Sequence, residues 1–343
     1  MKIIMAHGSG GAATSDLIEE VFISEFGTQN ATALEDCAVV EGAGRIAMTT
    51  DSFVVTPLKY PGGDIGRLAV CGTVNDLLMR GAIPKYITCG FILQEGTEVD
   101  LLNEIVHSLA ETAREAGVQI VAGDTKVIEG NGGILINTAG VGFVPEDRDI
   151  SSTRIRPGDA VLLSGNLGDH HATILGCRMN IQNEIQSDNA PLNEMVGNLF
   201  KENLSVHTMR DVTRGGLGTV MKELADSSRV KITLEEEKLP VSPAVQNFCG
   251  LLGLDPLYMG NEGKMVCFLP KEESEKALLA IKNSRYGSEA TVIGYVESLS
   301  ENEGENSGSM ETKSSCGEVF VKTSIGGLRR LDILQGEGLP RIC

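Results

Sequence analysis

Apolar residues recur at helical spacing early in the chain, where Leu17, Val21, Phe22 and Phe26 predict a helix over 14–26 with one apolar face. Two short apolar runs, 37–40 and 45–49, read as strands, with Asp36 before the first and Asp51 after the second. Pro61-Gly62-Gly63 is a turn, and Asp64 is placed to cap a helix over 65–80 that turns Ile65, Leu68, Ala69, Gly72 and Leu77 to the core. Asn75 and Asp76 lie inside that helix, although Asp is a poor helix former. The pattern then predicts a strand at 85–93 and an amphipathic helix at 99–116 closed by Gly117. A strand at 118–122 delivers Gly123-Asp124-Thr125-Lys126, and another strand spans 134–144. After the turn Pro157-Gly158-Asp159 come a buried strand at 160–164 and, behind Pro191, a helix at 192–203. Arg210-Asp211-Val212-Thr213-Arg214-Gly215-Gly216 reads as a polar loop entering a helix at 217–225. Strands at 230–234, 264–269, 291–296 and 319–323 and helices at 241–252 and 273–283 complete the reading. The result is an α/β (α+β) chain with an N-terminal domain over 1–148, a C-terminal α/β domain over 149–330, and a flexible tail over 331–343.

Composition narrows the classes. The 343 residues are 41% hydrophobic, enough for large buried cores, with only 4% aromatics and no Trp. A formal net charge of -18 argues against nucleic acid or an anionic membrane as partner. No apolar run approaches the ~18 residues of a membrane span, and the N-terminus has no signal-peptide pattern. The eight cysteines contain no C-x-x-C pair. Reduced thiols in a cytoplasmic protein are the natural expectation. The stretch 301–315, rich in Ser, Gly and Glu, reads as a mobile surface insertion.

Candidate chemistry gathers in four places. His7-Gly8-Ser9-Gly10-Gly11 is either a phosphate-cradling loop or a flexible lead-in. Asp36, Asp51, Asp76 and Asp124 are each ordinary as turn or cap residues. Together they are the hard oxygen ligands that Mg²⁺ takes when it bridges to phosphates. There is no P-loop and no dinucleotide fingerprint, so a nucleotide would bind by another architecture. Arg210, Asp211 and Arg214 form either a surface ion pair or phosphate or partner contacts. Glu262, in a turn before a strand, sits where a general base is rigidly held. Adjacent His170 and His171 make a poor metal pair, because neighbouring residues seldom ligate together. Finally, Leu339-Pro340-Arg341-Ile342-Cys343 ends the chain on a thiol behind Gly336 and Gly338. Such a group is an idle terminus, a nucleophile, a metal ligand or a carrier of a covalent group.

Several blocks together carry a resemblance that runs from near residue 3 to the last residue. They are His7-Gly8-Ser9-Gly10-Gly11, Thr49-Thr50-Asp51-Ser52-Phe53-Val54-Val55, Pro61-Gly62-Gly63-Asp64-Ile65-Gly66 and Gly72-Thr73-Val74-Asn75-Asp76. Further on come Gly123-Asp124-Thr125-Lys126, Thr213-Arg214-Gly215-Gly216, Asp255-Pro256-Leu257-Tyr258 and Asn261-Glu262-Gly263-Lys264. The most specific is Pro340-Arg341-Ile342-Cys343. In these blocks the chain resembles the HypE family of hydrogenase maturation proteins. Several of the blocks, but not the terminal one, are shared with the wider superfamily of aminoimidazole ribonucleotide synthetase, selenophosphate synthetase and thiamine-monophosphate kinase.

The resemblance implies an aminoimidazole ribonucleotide synthetase-like fold and a homodimer with a shared β-barrel-like core. It also implies ATP and Mg²⁺ near the cleft between the domains. Its implied reaction is ATP-dependent dehydration of an S-carboxamide on Cys343 to a thiocyanate. HypF would install the carbamoyl group, and the HypC–HypD complex would take the cyano group onto iron, for a [NiFe]-hydrogenase. Asp36, Asp51, Asp76 and Asp124 would hold metal, while His7, Gly8, Ser9, Gly10, Gly11, Asp64, Asn75, Gly123 and Thr125 would meet the nucleotide. Lys126 would stabilise phosphate or developing charge, Glu262 would be the base, and Arg210, Asp211, Arg214 and Arg341 would contact phosphate or tail. Three positions depart from the family pattern: Glu35-Asp36-Cys37 stands for two Asp and an Ala, Val212 for Pro, and His171 for Gly. The rival readings are a small-molecule synthetase of the same superfamily and a non-catalytic iron carrier using Cys343.

Overall fold

A computed structural model describes residues 2–8, 12–26, 40–299, 316–334 and 343. The chain divides into two compact units, Met1–Asp149 with Asp169–Asn193 and Leu339–Cys343, and Ile150–Gly168 with Glu194–Gly338.

The first unit opens on a 3-10 turn, Met5–Gly8. A helical segment follows, α1 (Ala12–Leu17), a π-helical stretch (Ile18–Ile23) and α2 (Ser24–Phe26). Leu17, Val21 and Phe22 are buried as the spacing requires, and the Phe22 ring lies 4.9 Å from that of Phe91. The strand expected at 37–40 lies outside the described residues except for Val40. The next strand, β1 (Ile46–Phe53), is longer than its apolar run and carries Asp51 within it rather than after it.

A small ribbon, β2 (Lys59–Tyr60) and β3 (Gly63–Asp64), leads into α3 (Ile65–Met79). Asp64 caps α3 as its side chain implied, accepting a hydrogen bond from Arg67 N at 2.9 Å. Nearly every position of α3 is buried, so the single apolar face read from sequence understates it. Packing against α4 (Val99–Ala116) is close at Gly66, where an added Cβ would lie 2.2 Å from the Ile105 carbonyl oxygen. Gly117 ends α4 with φ 66°, a left-handed conformation that glycine adopts without steric cost.

β4 (Ile83–Gln94), β5 (Gln119–Ile128) and β6 (Ile134–Phe143) complete a sheet of order β1-β6-β4-β5. The β4–β5 pair is parallel and is joined by α4, while the other pairs are antiparallel. β5 runs past residue 122, so Asp124, Thr125 and Lys126 lie within the strand rather than after its end.

The second unit is built on one sheet with strands in the order Leu328–Leu331, Glu318–Lys322, Lys231–Glu235, Thr291–Glu297, Asp159–Leu163, Met265–Pro270 and Thr208–Asp211. An interior strand of it, β7 (Asp159–Leu163), is buried at all five positions, as a run without polar alternation should be. In chain order follow α5 (Asp169–Met179), which groups with the first unit, α6 (Asn193–Lys201), β8 (Thr208–Asp211) and α7 (Gly216–Ser228). Then come β9 (Lys231–Glu235), α8 (Pro243–Leu252), β10 (Met265–Pro270), α9 (Ser274–Lys282), β11 (Thr291–Glu297), β12 (Glu318–Lys322) and β13 (Leu328–Leu331). Val161, Leu217, Met221, Ile232, Phe268 and Val319 are among the residues that form one core. Two assignments change here. Arg210 and Asp211 end a strand rather than lie in a loop, and His170 and His171 belong to a helix where the sequence pattern predicts no element. Neither stretch carries a clear period of its own, because both are set by partners distant in sequence.

Candidate active site

Two of the four carboxylates singled out from sequence meet at the packing of β1 on α3. An added Cβ at Gly72 would lie 3.5 Å from Asp51 Oδ2, which places that carboxylate over the helix. One turn further, Asp76 Oδ2 accepts the Thr49 hydroxyl at 2.7 Å. Thr49 and Asp51 are two apart on a strand and share a face, so Asp51 and Asp76 lie on the same side of the sheet. Asp51 Oδ1 also accepts its neighbour's amide, Ser52 N, at 2.8 Å.

Asp124 lies elsewhere. Across the sheet the register aligns Asp51, Thr138, Cys89 and Gly123 in one row, and Ser52, Asn137, Gly90 and Asp124 in the next. Thr138 bonds Thr73 of α3 at 2.5 Å, so the first row faces the helices. The second row therefore faces away, and Asn137 Nδ2 bonds Ser52 Oγ there at 2.9 Å. On this open face Lys126 Nζ donates to both Asp124 oxygens, at 2.5 and 2.7 Å. That hydrogen bond and the lysine's charge hold the Asp124 carboxyl below its ordinary range. Thr125, between them, turns to the helix face with its partner Phe91, which is buried. Asp36 lies outside the described residues, as do Ser9, Gly10, Gly11 and Arg341. Among the described residues no group of three His, Cys, Asp or Glu side chains is arranged to hold a metal ion. The described carboxylates thus divide two and one across the sheet instead of forming one cluster. A pair on one face still suits Mg²⁺, which usually keeps waters and takes only one or two carboxylates plus phosphate oxygens.

Other residues expected at a nucleotide have structural partners. His7 Nδ1 accepts Ile4 N at 3.0 Å and closes the N-terminal turn that ends at Gly8, a turn packed on β5. Asn75 is only 3% exposed; its Nδ2 donates to Ala190 O at 3.1 Å and its Oδ1 accepts Leu192 N at 3.0 Å. Both ends of that amide hold the irregular strand of chain at 189–192. Burial pushes the Asp64 carboxyl up despite the Arg67 amide it caps. Gly123 runs close under β4, where a Cβ would lie 2.9 Å from Cys89 O.

In the second unit Glu262 is 5% exposed and Lys264 8%, in the turn entering β10, and Asp211 is 8% exposed at the end of β8. Arg210 reaches Asp211 at 3.8 Å and Glu223 at 3.4 Å, while Arg214 is exposed just before α7. The chain leading to the tail is anchored at its root. Tyr258 Oη donates to Asp332 O at 2.9 Å, and Thr219 Oγ1 accepts Leu334 N at 3.3 Å. Cys343 is half-buried and groups with the first unit, the one that carries Asp51 and Asp76. His170 Nδ1 pairs with Ser187 Oγ at 2.7 Å, and burial, then its neighbour His170, pushes His171 down to about 4.

Tyr258, Thr219 and Asn75 were not legible in these roles, since each acts on backbone far along the chain. Only the motifs at 72–76 and 255–258 marked Asn75 and Tyr258, and no motif marked Thr219.

Residues 34–144 match the N-terminal domain of AIR synthase related proteins and residues 156–304 match the C-terminal domain. This makes the chain a two-domain protein of the aminoimidazole ribonucleotide synthetase class. Carbamoyl dehydratase HypE of Rhodobacter capsulatus is 44% identical over 100% of this chain and 98% of its own. The solved HypE in complex with ATP is similar with a TM-score of 0.92 at 44% identity, covering 99% of each chain. The HypE of a solved HypE–HypF complex has a TM-score of 0.77 at 43% identity, over 93% of this chain and 99% of that one. The chain belongs to the HypE family of carbamoyl dehydratases.

Proposed function

We propose that this protein is an ATP-dependent dehydratase that converts an S-carboxamide on its own Cys343 to a thiocyanate. The thiocyanate then supplies the cyanide ligand for the iron of a [NiFe]-hydrogenase. The observation that carries this reading is the terminal thiol. Cys343 closes a chain that is related over its whole length to carbamoyl dehydratases, and it groups with the unit that bears the paired carboxylates.

The chemistry explains why a synthetase-like fold serves. The amide oxygen is a poor leaving group, so it attacks the γ-phosphoryl of ATP, and ADP departs. The carbon–oxygen bond then breaks as phosphate leaves. Both protons on nitrogen are lost and the C≡N bond forms, so the oxygen of the removed water ends in phosphate. Asp51 and Asp76, with Asp36, would hold Mg²⁺, which would supply charge neutralisation for the transferring phosphoryl, while Asp124 stands on the opposite face of the sheet from that pair. Lys126 stabilises phosphate or developing charge, and Glu262 takes a nitrogen proton. The loop His7, Gly8, Ser9, Gly10 and Gly11, with Asp64, Asn75, Gly123 and Thr125, would line the nucleotide, Asp64 and Asn75 through the elements they fix. Arg210, Asp211, Arg214 and Arg341 are the proposed phosphate or tail contacts.

We assign domains 1–148 and 149–330 and a carrier tail 331–343, in a cytoplasmic protein. A HypF-type carbamoyltransferase would load the tail, as a HypE–HypF complex supports. A HypC–HypD-type complex would receive the cyano group. A homodimer is favoured by the open sheet face, where Ile46, Met48 and Ile92 are 52%, 74% and 37% exposed. Asp124 and Lys126 stand on that same face.

Phosphate release from carbamoylated protein tests the reading. One phosphate per loaded Cys343, then arrest, is the expected course. Continuous turnover of a free substrate would favour a small-molecule synthetase, and iron binding without ATP consumption would favour a carrier.

A further inference from the structure

Directly before Glu262 stands a residue with no reactive chemistry and hydrogen bonds from both ends of its side-chain amide. Asn261 is 0% exposed. Its Oδ1 accepts Gly168 N at 2.8 Å, and its Nδ2 donates to Val212 O at 2.8 Å and to Met259 O at 3.2 Å. Its own N–H donates to Val212 O at 3.0 Å. Val212 in turn donates its N–H to Lys264 O at 2.9 Å, so the turn 261–264 wraps around one residue of the β8 exit. Ser164 closes the third side, donating N–H to Met265 O at 3.0 Å and accepting Met265 N at its hydroxyl at 2.9 Å.

Three chain segments thus converge on one amide: the exit of β7 at 164–168, the exit of β8 at 212, and the entry to β10 at 259–265. No hydroxyl or carboxylate could replace it, because the site needs an acceptor on one end and a two-hydrogen donor on the other. Asn261 is fully buried, so a lost bond leaves a buried carbonyl without its partner. Asp211, Glu262 and Lys264 are buried at the same end of these strands, and a charge introduced at 261 would stand among them.

We propose that Asn261 is the positioning residue for Glu262, fixing the proton-accepting carboxylate by tying its turn to the ends of β7 and β8. This rests on the reading of Glu262 as the base. The geometry supports a role in placement rather than in binding, because the amide is fully used on backbone and has no atom exposed to a substrate. A general base works only within hydrogen-bond reach of its proton, and a displacement of about 1 Å can cost on the order of 10²-fold in rate.

The test uses full-length carbamoylated protein and four variants: Asn261→Ala, Asn261→Asp, Asn261→Ser and Glu262→Gln. Single-turnover dehydration, the KM for ATP, the acid limb of the rate–pH profile and the thermal midpoint are measured for each. For Asn261 variants that remain folded we expect the rate to fall about 10- to 100-fold with the KM for ATP within about twofold of the parent. The acid limb should also move, because it reports the base in its altered surroundings. Asn261→Asp keeps size and the Gly168 bond, and Asn261→Ser keeps an acceptor, so one of them serves if Asn261→Ala does not fold. An unchanged rate and acid limb in a folded variant overturns the proposal. A rate that falls only with the folded fraction or with ATP affinity also overturns it. Glu262→Gln separates the two readings. Full activity there removes the base assignment, whereas an inactive Glu262→Gln beside active Asn261 variants removes only the positioning role.

Discussion

At the residue scale, Asp51 and Asp76 share one face of the sheet while Asp124 stands on the other, so Asp76 is where the loss of one charge tests the metal site. Asp76→Asn keeps the acceptor for Thr49 but loses the charge. It should raise the Mg²⁺ concentration needed for half-maximal phosphate release by about tenfold or more, with little change in thermal midpoint. Equal Mg²⁺ dependence in variant and parent would remove Asp76 from the metal site. Asn75→Ala should behave in the opposite way. It leaves the Ala190 carbonyl and the Leu192 amide without their buried partner, at about 1–3 kcal/mol each. A fall in the midpoint of denaturant unfolding is the expected result, and unchanged stability would contradict it.

At the element scale, what could be read from sequence was what a short window decides. Asp64 as cap, Gly117 as stop and the apolar period between them gave α3 and α4 nearly to the residue. Which face Asp124 occupies could not be read, because the register of β4 on β5 and β6 decides it. The part played by Asn261 was equally hidden, since its partners Gly168 and Val212 lie 93 and 49 positions away. Gly66 shows how tightly such long-range packing is drawn. Gly66→Ala should cost about 1–3 kcal/mol as α3 is forced off Ile105, measured as a lowered thermal midpoint. α5 carries a pH signature. His171 is neutral when folded, with its value lowered from 6.5 to about 4, so the unfolded chain binds the extra proton between these limits. Its contribution is complete above the ordinary value and is lost as pH falls from there toward 4. Unfolding midpoints should therefore drop over this window more steeply in the parent than in His171→Gln, and parallel curves would contradict the shift.

At the scale of the whole molecule, the proposed reaction draws on the carboxylates of one sheet face and the terminal thiol, while the open apolar face is the proposed dimer surface. The dimer proposal is tested on that face. Met48→Glu should convert a dimer to a monomer in sedimentation, and a monomeric parent would contradict it. The proposed carrier tail is rooted by Tyr258 and Thr219 at the last described residues before Cys343. The central claim is that this thiol is what the enzyme works on. Intact-protein mass spectrometry tests it most directly, after incubation with a HypF-type carbamoyltransferase, carbamoyl phosphate and ATP, and again after adding Mg-ATP to the purified product. The account predicts a gain of about 43 Da followed by a loss of about 18 Da, both mapping to Cys343, as one carbamoyl group loses one water. An adduct that never forms on Cys343, or one that Mg-ATP leaves unchanged, would contradict it.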